Sequence, residues 1–273
     1  MAMSNPAFSA KSFASPATAA GRMNTTVQPG LSAEQLQEIY NRPAGGASDT
    51  ERMTYENTIL KTVITLAFVV AGAAIGFVVP VLAIPFAIVG FVLALVNIFK
   101  KQPSPALVIA FAVAQGIFVG GLSRTVEATA PGIIFQALVG TAIVFGVTLA
   151  LFASGKVRAS KKATKIFMIA GISYAALSLV NLITQLTGLN DNPWGINGTS
   201  IPGTDIPFGL IIGPIAILMG AYSLVLDFTS VKQGVDGGAP SRWGWKAAFG
   251  ITLTIIWLYI EILRLISILR GSN

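Results

Sequence analysis

The sequence contains no cysteine and no histidine. Their absence excludes disulfides, thiol catalysis, metal sites built on either residue, Ser-His-Asp triads and haem held by a histidine. It also removes the usual switch near neutral pH, so a response to pH has to come from carboxylates in unusual surroundings. Charge is scarce too: 11% of the 273 residues are charged, against about 25% in soluble domains. What remains is apolar, with 53% hydrophobic residues, 28 glycines, 16 phenylalanines and a mean hydropathy of +0.73. The 18 Lys+Arg against 11 Asp+Glu give a net charge of +7. The bases lie mostly in short gaps between apolar runs, so they read as membrane topology signals and no nucleic-acid partner is expected.

Residues 1–53 are rich in Ala, Ser, Pro, Gly and Thr and hold no apolar run long enough for a signal sequence. They are expected to form an uncleaved, disordered cytoplasmic tail. Within it, Ser32-Ala33-Glu34-Gln35 has capping-box spacing ahead of Leu36, Ile39 and Tyr40. A short helix near 32–41 follows from that pattern, either transient or a partner-binding element.

From residue 54 to 270 the composition predicts an all-α polytopic membrane domain. Seven apolar segments lie at about 60–79, 81–99, 105–123, 132–153, 166–187, 209–231 and 247–269, each near the roughly 20 residues a helix needs to cross a bilayer. The first two are separated at Val79-Pro80, which favours a tight hairpin over one long kinked helix. With the amino terminus inside, 15 bases fall on the cytoplasmic side and 3 outside. That asymmetry predicts a cytoplasmic amino terminus and, with seven spans, an extracytoplasmic carboxyl terminus in a bacterial plasma membrane.

Helices in lipid associate through small residues and interhelical hydrogen bonds. Gly72 and Gly76 are spaced for this in the first span, and Ala112, Gly116 and Gly120 in the third. The fifth lines up Gly171, Tyr174, Ser178, Asn181 and Gln185; the sixth lines up Gly209, Gly213, Ala216, Gly220, Ser223 and Asp227. In the seventh, Gly250, Thr254, Trp257, Glu261 and Arg264 make a polar stripe on an otherwise apolar helix. An ionised carboxylate at the bilayer centre costs on the order of 3 kcal/mol, so Glu261 is expected to face the protein interior.

Three roles for Glu261 are open. One is a salt bridge with Arg264, one turn along the same helix. Another is a cation site or gate shared with Asp227, two carboxylates that would titrate as a unit and offer the oxygen ligands Ca²⁺ prefers. The last is a proton-coupled transporter. With the apolar runs as helix bounds, Asp227 lies about 6 Å and Glu261 roughly 15–21 Å from the cytoplasmic end, so direct contact needs tilt or a bridging water. Arg124 and Glu127, at the outer end of the third span, are either a candidate outer gate or a solvated ion pair.

The seven spans, the segment Ser223-Leu-Val-Leu-Asp227 with the Phe-Thr-Ser-Val-Lys-Gln-Gly234 that follows, and the closing Trp257-Leu-Tyr-Ile-Glu261-Ile-Leu-Arg-Leu-Ile-Ser-Ile-Leu-Arg270 resemble the Bax inhibitor-1 (transmembrane Bax inhibitor motif, YccA-like) family. The stretch Pro131-Gly-Ile-Ile-Phe-Gln-Ala-Leu-Val-Gly-Thr141 is similar to a bacterial, actinobacterial branch. The resemblance covers about 54–270. It implies a central seventh helix enclosed by the other six, and a pH-sensitive Ca²⁺ leak closed by a carboxylate dyad, with Ca²⁺ and protons as partners and no cofactor. Asp227 matches the family's sixth-span aspartate, and Glu261 is expected where a second aspartate usually stands. Lys100 matches approximately a basic latch residue at the end of the second span, with lysine in place of the more usual arginine, so bidentate pairing is lost.

A leak channel gated at Asp227 and Glu261 is therefore the leading expectation. The alternative is a non-conducting regulator that binds other membrane proteins, such as a membrane protease, through its helices or tail. No enzymatic activity is expected: without His or Cys an intramembrane enzyme needs an acid dyad or Ser-Lys, and no serine pairs with an intramembrane lysine.

Overall fold

A computed structural model describes residues 51–190, 192 and 194–271. The short helix expected near 32–41 and the tail up to residue 50 lie outside the described residues. Seven helices are long and apolar enough to cross a membrane, and no strand is found among the described residues. They are α1 (Tyr55–Val78), α2 (Ala83–Phe99), α3 (Pro105–Thr129), α4 (Ile133–Ala153), α5 (Lys161–Leu186), α6 (Gly209–Asp236) and α7 (Trp243–Gly271).

Local chemistry sets the boundaries. The Thr54 hydroxyl caps α1 by accepting from the Asn57 amide at 3.1 Å. Val79 leaves helical geometry before Pro80, and a 3₁₀ turn over Pro80–Leu82 leads into α2, which makes the expected hairpin. Pro105 opens α3, where a missing amide proton costs nothing. Gly132, at φ 81°, turns the chain sharply between α3 and α4.

Five helices continue beyond their apolar runs. α3 extends to Thr129, α5 begins at Lys161, α6 runs on to Asp236, and α1 and α7 begin at Tyr55 and Trp243. Charged residues are welcome at the headgroup level, where a helix remains hydrogen-bonded while its side chains meet water. Hydropathy therefore marks the lipid-covered part only.

The small-residue stripes are used as close contacts. A Cβ added at Gly76 would strike the Ile117 backbone, and one at Gly120 would strike that of Ala73, so α1 and α3 pack backbone against backbone. Along α6, Gly213 faces Leu265 and Gly220 faces Leu258 of α7. The last helix is the centre of the bundle. It packs on α1, α3, α4 and α6, and reaches α2 and α5 through the side chains of Lys246 and Glu261. Its amino-terminal half is packed by Phe111, Leu224 and Phe249, with the two phenylalanine rings edge to face at 4.8 Å. Its carboxyl-terminal half is packed by Val119, Ile133, Ile262 and Leu263.

α5 is the exception, with no buried residue. Its main backbone approaches are to α6 and to a 3₁₀ turn over Gly195–Gly198. At the opposite end of the bundle, Glu51–Met53 are drawn against the α6–α7 connection: the Met53 amide donates to Ala239 at 2.7 Å, and the Ser241 amide to Glu51 at 2.7 Å.

Candidate functional site

Asp227 sits on the small-residue face of α6 and is completely buried, at 0% exposure. Gly220 and Ala216, two and three turns away, let α7 come close enough to reach it. The side chain that does so is Thr254, whose hydroxyl donates to Asp227 Oδ2 at 2.7 Å. The Ser223 hydroxyl, one turn back on α6, lies 3.3 Å from that of Thr254. The result is a small polar layer, one carboxylate and two hydroxyls, enclosed between α6 and α7.

Glu261 is also buried, at 2% exposure, but in different company. Its carboxylate accepts from the Arg264 guanidinium and from the Tyr174 hydroxyl. The Trp257 indole donates to the same carboxylate at 3.1 Å. Arg264 in turn donates to the Tyr174 oxygen at 3.0 Å. The expected i to i+3 ion pair is thus formed, and Tyr174 of the fifth-span polar stripe closes it from α5. Of that stripe, Asn181 is also used: it accepts from the Ile196 amide at 2.7 Å, which ties the Gly195–Gly198 turn to α5.

The structure does not join these two layers into one pair. Thr254 and Glu261 are seven residues apart on α7, about 10 Å along the axis. The difference in depth that already stood against direct contact remains when the observed helix ends are used. With α6 running to Asp236, Asp227 lies about 13 Å from its end; with α7 starting at Trp243, Thr254 lies about 16 Å and Glu261 about 27 Å from its start. Asp227 and Thr254 are therefore level, and Glu261 lies beyond them.

The base buried at the end of α2 is not the one expected there. Lys100 is exposed just past the end of α2. The base buried there is Lys246 of α7, 4% exposed, whose ammonium donates to the carbonyls of Asn97 and, at 3.0 Å, Ile98. Helix carbonyls at a carboxyl terminus lack intrahelical partners, so a cation there is doubly favoured. The Asn97 amide then donates to Leu107 of α3 at 3.1 Å, so one amide and one ammonium tie three helices. The signal was present in the sequence: Lys246, Gly250 and Thr254 are spaced by four.

Arg124 and Glu127 each have another partner. Arg124 lies over the Phe77 ring at 5.1 Å. Glu127 accepts from the amides of Gly132 at 2.6 Å and Ile134 at 3.1 Å, capping the start of α4. Beside it, a cavity of about 630 Å³ opens among Thr125, Thr129, Asn192, Trp194, Asp205 and Arg270. Among the described residues no three acidic groups converge as a metal cage would require.

The family whose model matches this chain, over residues 5–271, is described as Bax inhibitor 1 like. The match also takes in most of the tail that the motif resemblance left out. No curated protein matches the chain significantly.

Proposed function

The chain belongs to the Bax inhibitor 1 like family, and from that premise we propose that it is a pH-sensitive cation leak, not an enzyme, in a bacterial plasma membrane, with its gate at Asp227. Calcium is the ion implied by the family resemblance. The observation that carries this reading is a fully buried carboxylate inside a membrane span, aimed at a hydroxyl of the central helix. Acidic groups at such depth are costly, and are ordinarily kept where ions or protons pass.

The proposed mechanism uses this chain's own groups. While Asp227 is ionised, its charge-assisted bond from Thr254 holds α6 against α7, since such bonds are about twice as strong as neutral ones. As pH falls and the carboxylate takes a proton, that bond weakens and the layer can part. The glycine face of α6 leaves few interlocking side chains to resist a slide. Glu261 has a separate task in this reading: with Arg264 and Tyr174 it pins α5 to α7 and stays closed around its own counter-ion. The distribution of bases supports an internal amino terminus, which puts Asp227 in the cytoplasmic half and the 630 Å³ cavity at the outer mouth.

The test is flux of Ca²⁺ into dye-loaded liposomes across a pH series. Asp227→Asn, a neutral mimic of the protonated acid, is expected to leak at neutral pH as the native protein does in acid, without further pH dependence. A native-like profile in that variant removes Asp227 from the gate. Absence of flux from the native protein at every pH favours the non-conducting regulator instead.

A further inference from the structure

The bases that no contact above employs are concentrated at one turn. Lys156, Arg158, Lys161, Lys162 and Lys165 follow one another between the end of α4 and the first turns of α5, and all are exposed. No Asp or Glu occurs anywhere from residue 128 to 190, so nothing nearby in sequence offsets them. Among the described residues the ion pairs engage none of the five. Two of the lysines occupy the start of α5, where helix amides and dipole already favour an anion and where the first turn holds no acid. A concentration of like charge at an electropositive helix end is unfavourable unless an anion completes it.

The same turn bridges two apolar walls. At its α5 end, Thr164 shares a hydrogen bond of 2.9 Å with Tyr222 of α6, and Phe167 packs on the Tyr222 ring at 5.6 Å. At its α4 end, Arg158 folds back over the Phe152 ring at 4.2 Å and donates to the Phe152 carbonyl. Below the bases, α4 exposes Val147 and Leu151, and α5 exposes Ile166 and Ile169. α5 finds its main protein neighbours in α6 and the 195–198 turn, not in α4. Cationic groups above exposed apolar helix faces match a ligand with a phosphate at one end and hydrocarbon at the other.

We propose that the α4–α5 turn seats the headgroup of an anionic phospholipid on these five bases, with its acyl chains against the apolar sides of α4 and α5. A free phosphate would satisfy the bases and leave the walls unused. This site does not depend on the leak reading and stands or falls separately from it. It differs from a general topology signal in being local: equal numbers of bases elsewhere should not replace it.

Native mass spectrometry of the full-length protein in detergent tests this, with phosphatidylglycerol and phosphatidylcholine offered at equal concentration. The native protein is expected to retain the anionic lipid about tenfold better. The preference disappears when Lys156, Arg158, Lys161, Lys162 and Lys165 are all changed to Gln, and drops in Lys161→Gln/Lys162→Gln, which carries the test if the fivefold variant does not fold. It persists in Lys100→Gln/Lys101→Gln, exposed bases at the end of α2, and in excess inorganic phosphate. Equal retention of both lipids by the native protein, survival of the preference in the two α5 variants, equal loss in the α2 variant, or displacement by phosphate each overturns the site.

Discussion

Asp227 and Glu261 are buried acids on neighbouring helices, yet they are held by opposite means. Glu261 meets a guanidinium, a phenol and an indole, three donors that balance its charge and saturate its oxygens. Asp227 meets the hydroxyl layer of Thr254 and Ser223. Loss of the Glu261 charge would leave a buried guanidinium without its partner. An acid held by a hydroxyl exchanges a charge-assisted bond for a weaker neutral one when it takes a proton, because a threonine hydroxyl both donates and accepts. In the proposed mechanism the Glu261 layer holds and the Asp227 layer switches.

The largest expected effect breaks the holding layer. Glu261→Gln strands Arg264, and removal of one partner of a buried ion pair costs about 3–5 kcal/mol. Thermal unfolding in detergent should show this as a large loss, mostly recovered when Arg264→Met is added to Glu261→Met. A Glu261→Gln protein as stable as the native one would mean that the pair bears no structural weight. Next comes the switching layer: Thr254→Val keeps the shape but takes the hydroxyl from Asp227, at about 1–3 kcal/mol. Unlike Glu261→Gln, it should also displace the pH profile of flux, and an unmoved profile would merge the two layers into one structural role. The smallest effect concerns the bases at the end of α2. Lys100→Gln should lie within about 0.5 kcal/mol of native stability, as exposed substitutions do. Lys246→Met, which frees two carbonyls, should cost clearly more in the same unfolding measurement; the reverse order would restore Lys100 as the latch.

Much of this architecture can be read from the chain. Seven apolar runs, a proline break at residue 80 and the glycine stripes of α1, α3 and α6 suffice for the bundle, because lipid leaves helices few other ways to pack. The Glu261–Arg264 pair is equally legible from its spacing. Thr254 as the partner of Asp227 is less so: the polar residues that lengthen α6 by five and α7 by four beyond the apolar runs nearly cancel in level, but which side chain of the α7 stripe turns to Asp227 is set by tertiary packing. Tyr174 was visible as part of a polar face, but which helix that face meets is a tertiary fact. Glu127 resembled half of an ion pair in sequence; its actual partners are backbone amides beyond the Gly132 turn, which side-chain spacing does not reveal.

The most direct test of the separation between layers is Ca²⁺ flux in liposomes against pH, measured side by side for the native protein, Asp227→Asn and Glu261→Gln. The account predicts a native flux that rises in acid, a raised and pH-independent flux for Asp227→Asn, and a retained pH response for whatever fraction of Glu261→Gln remains folded. A flat profile in Glu261→Gln together with a native profile in Asp227→Asn would contradict it.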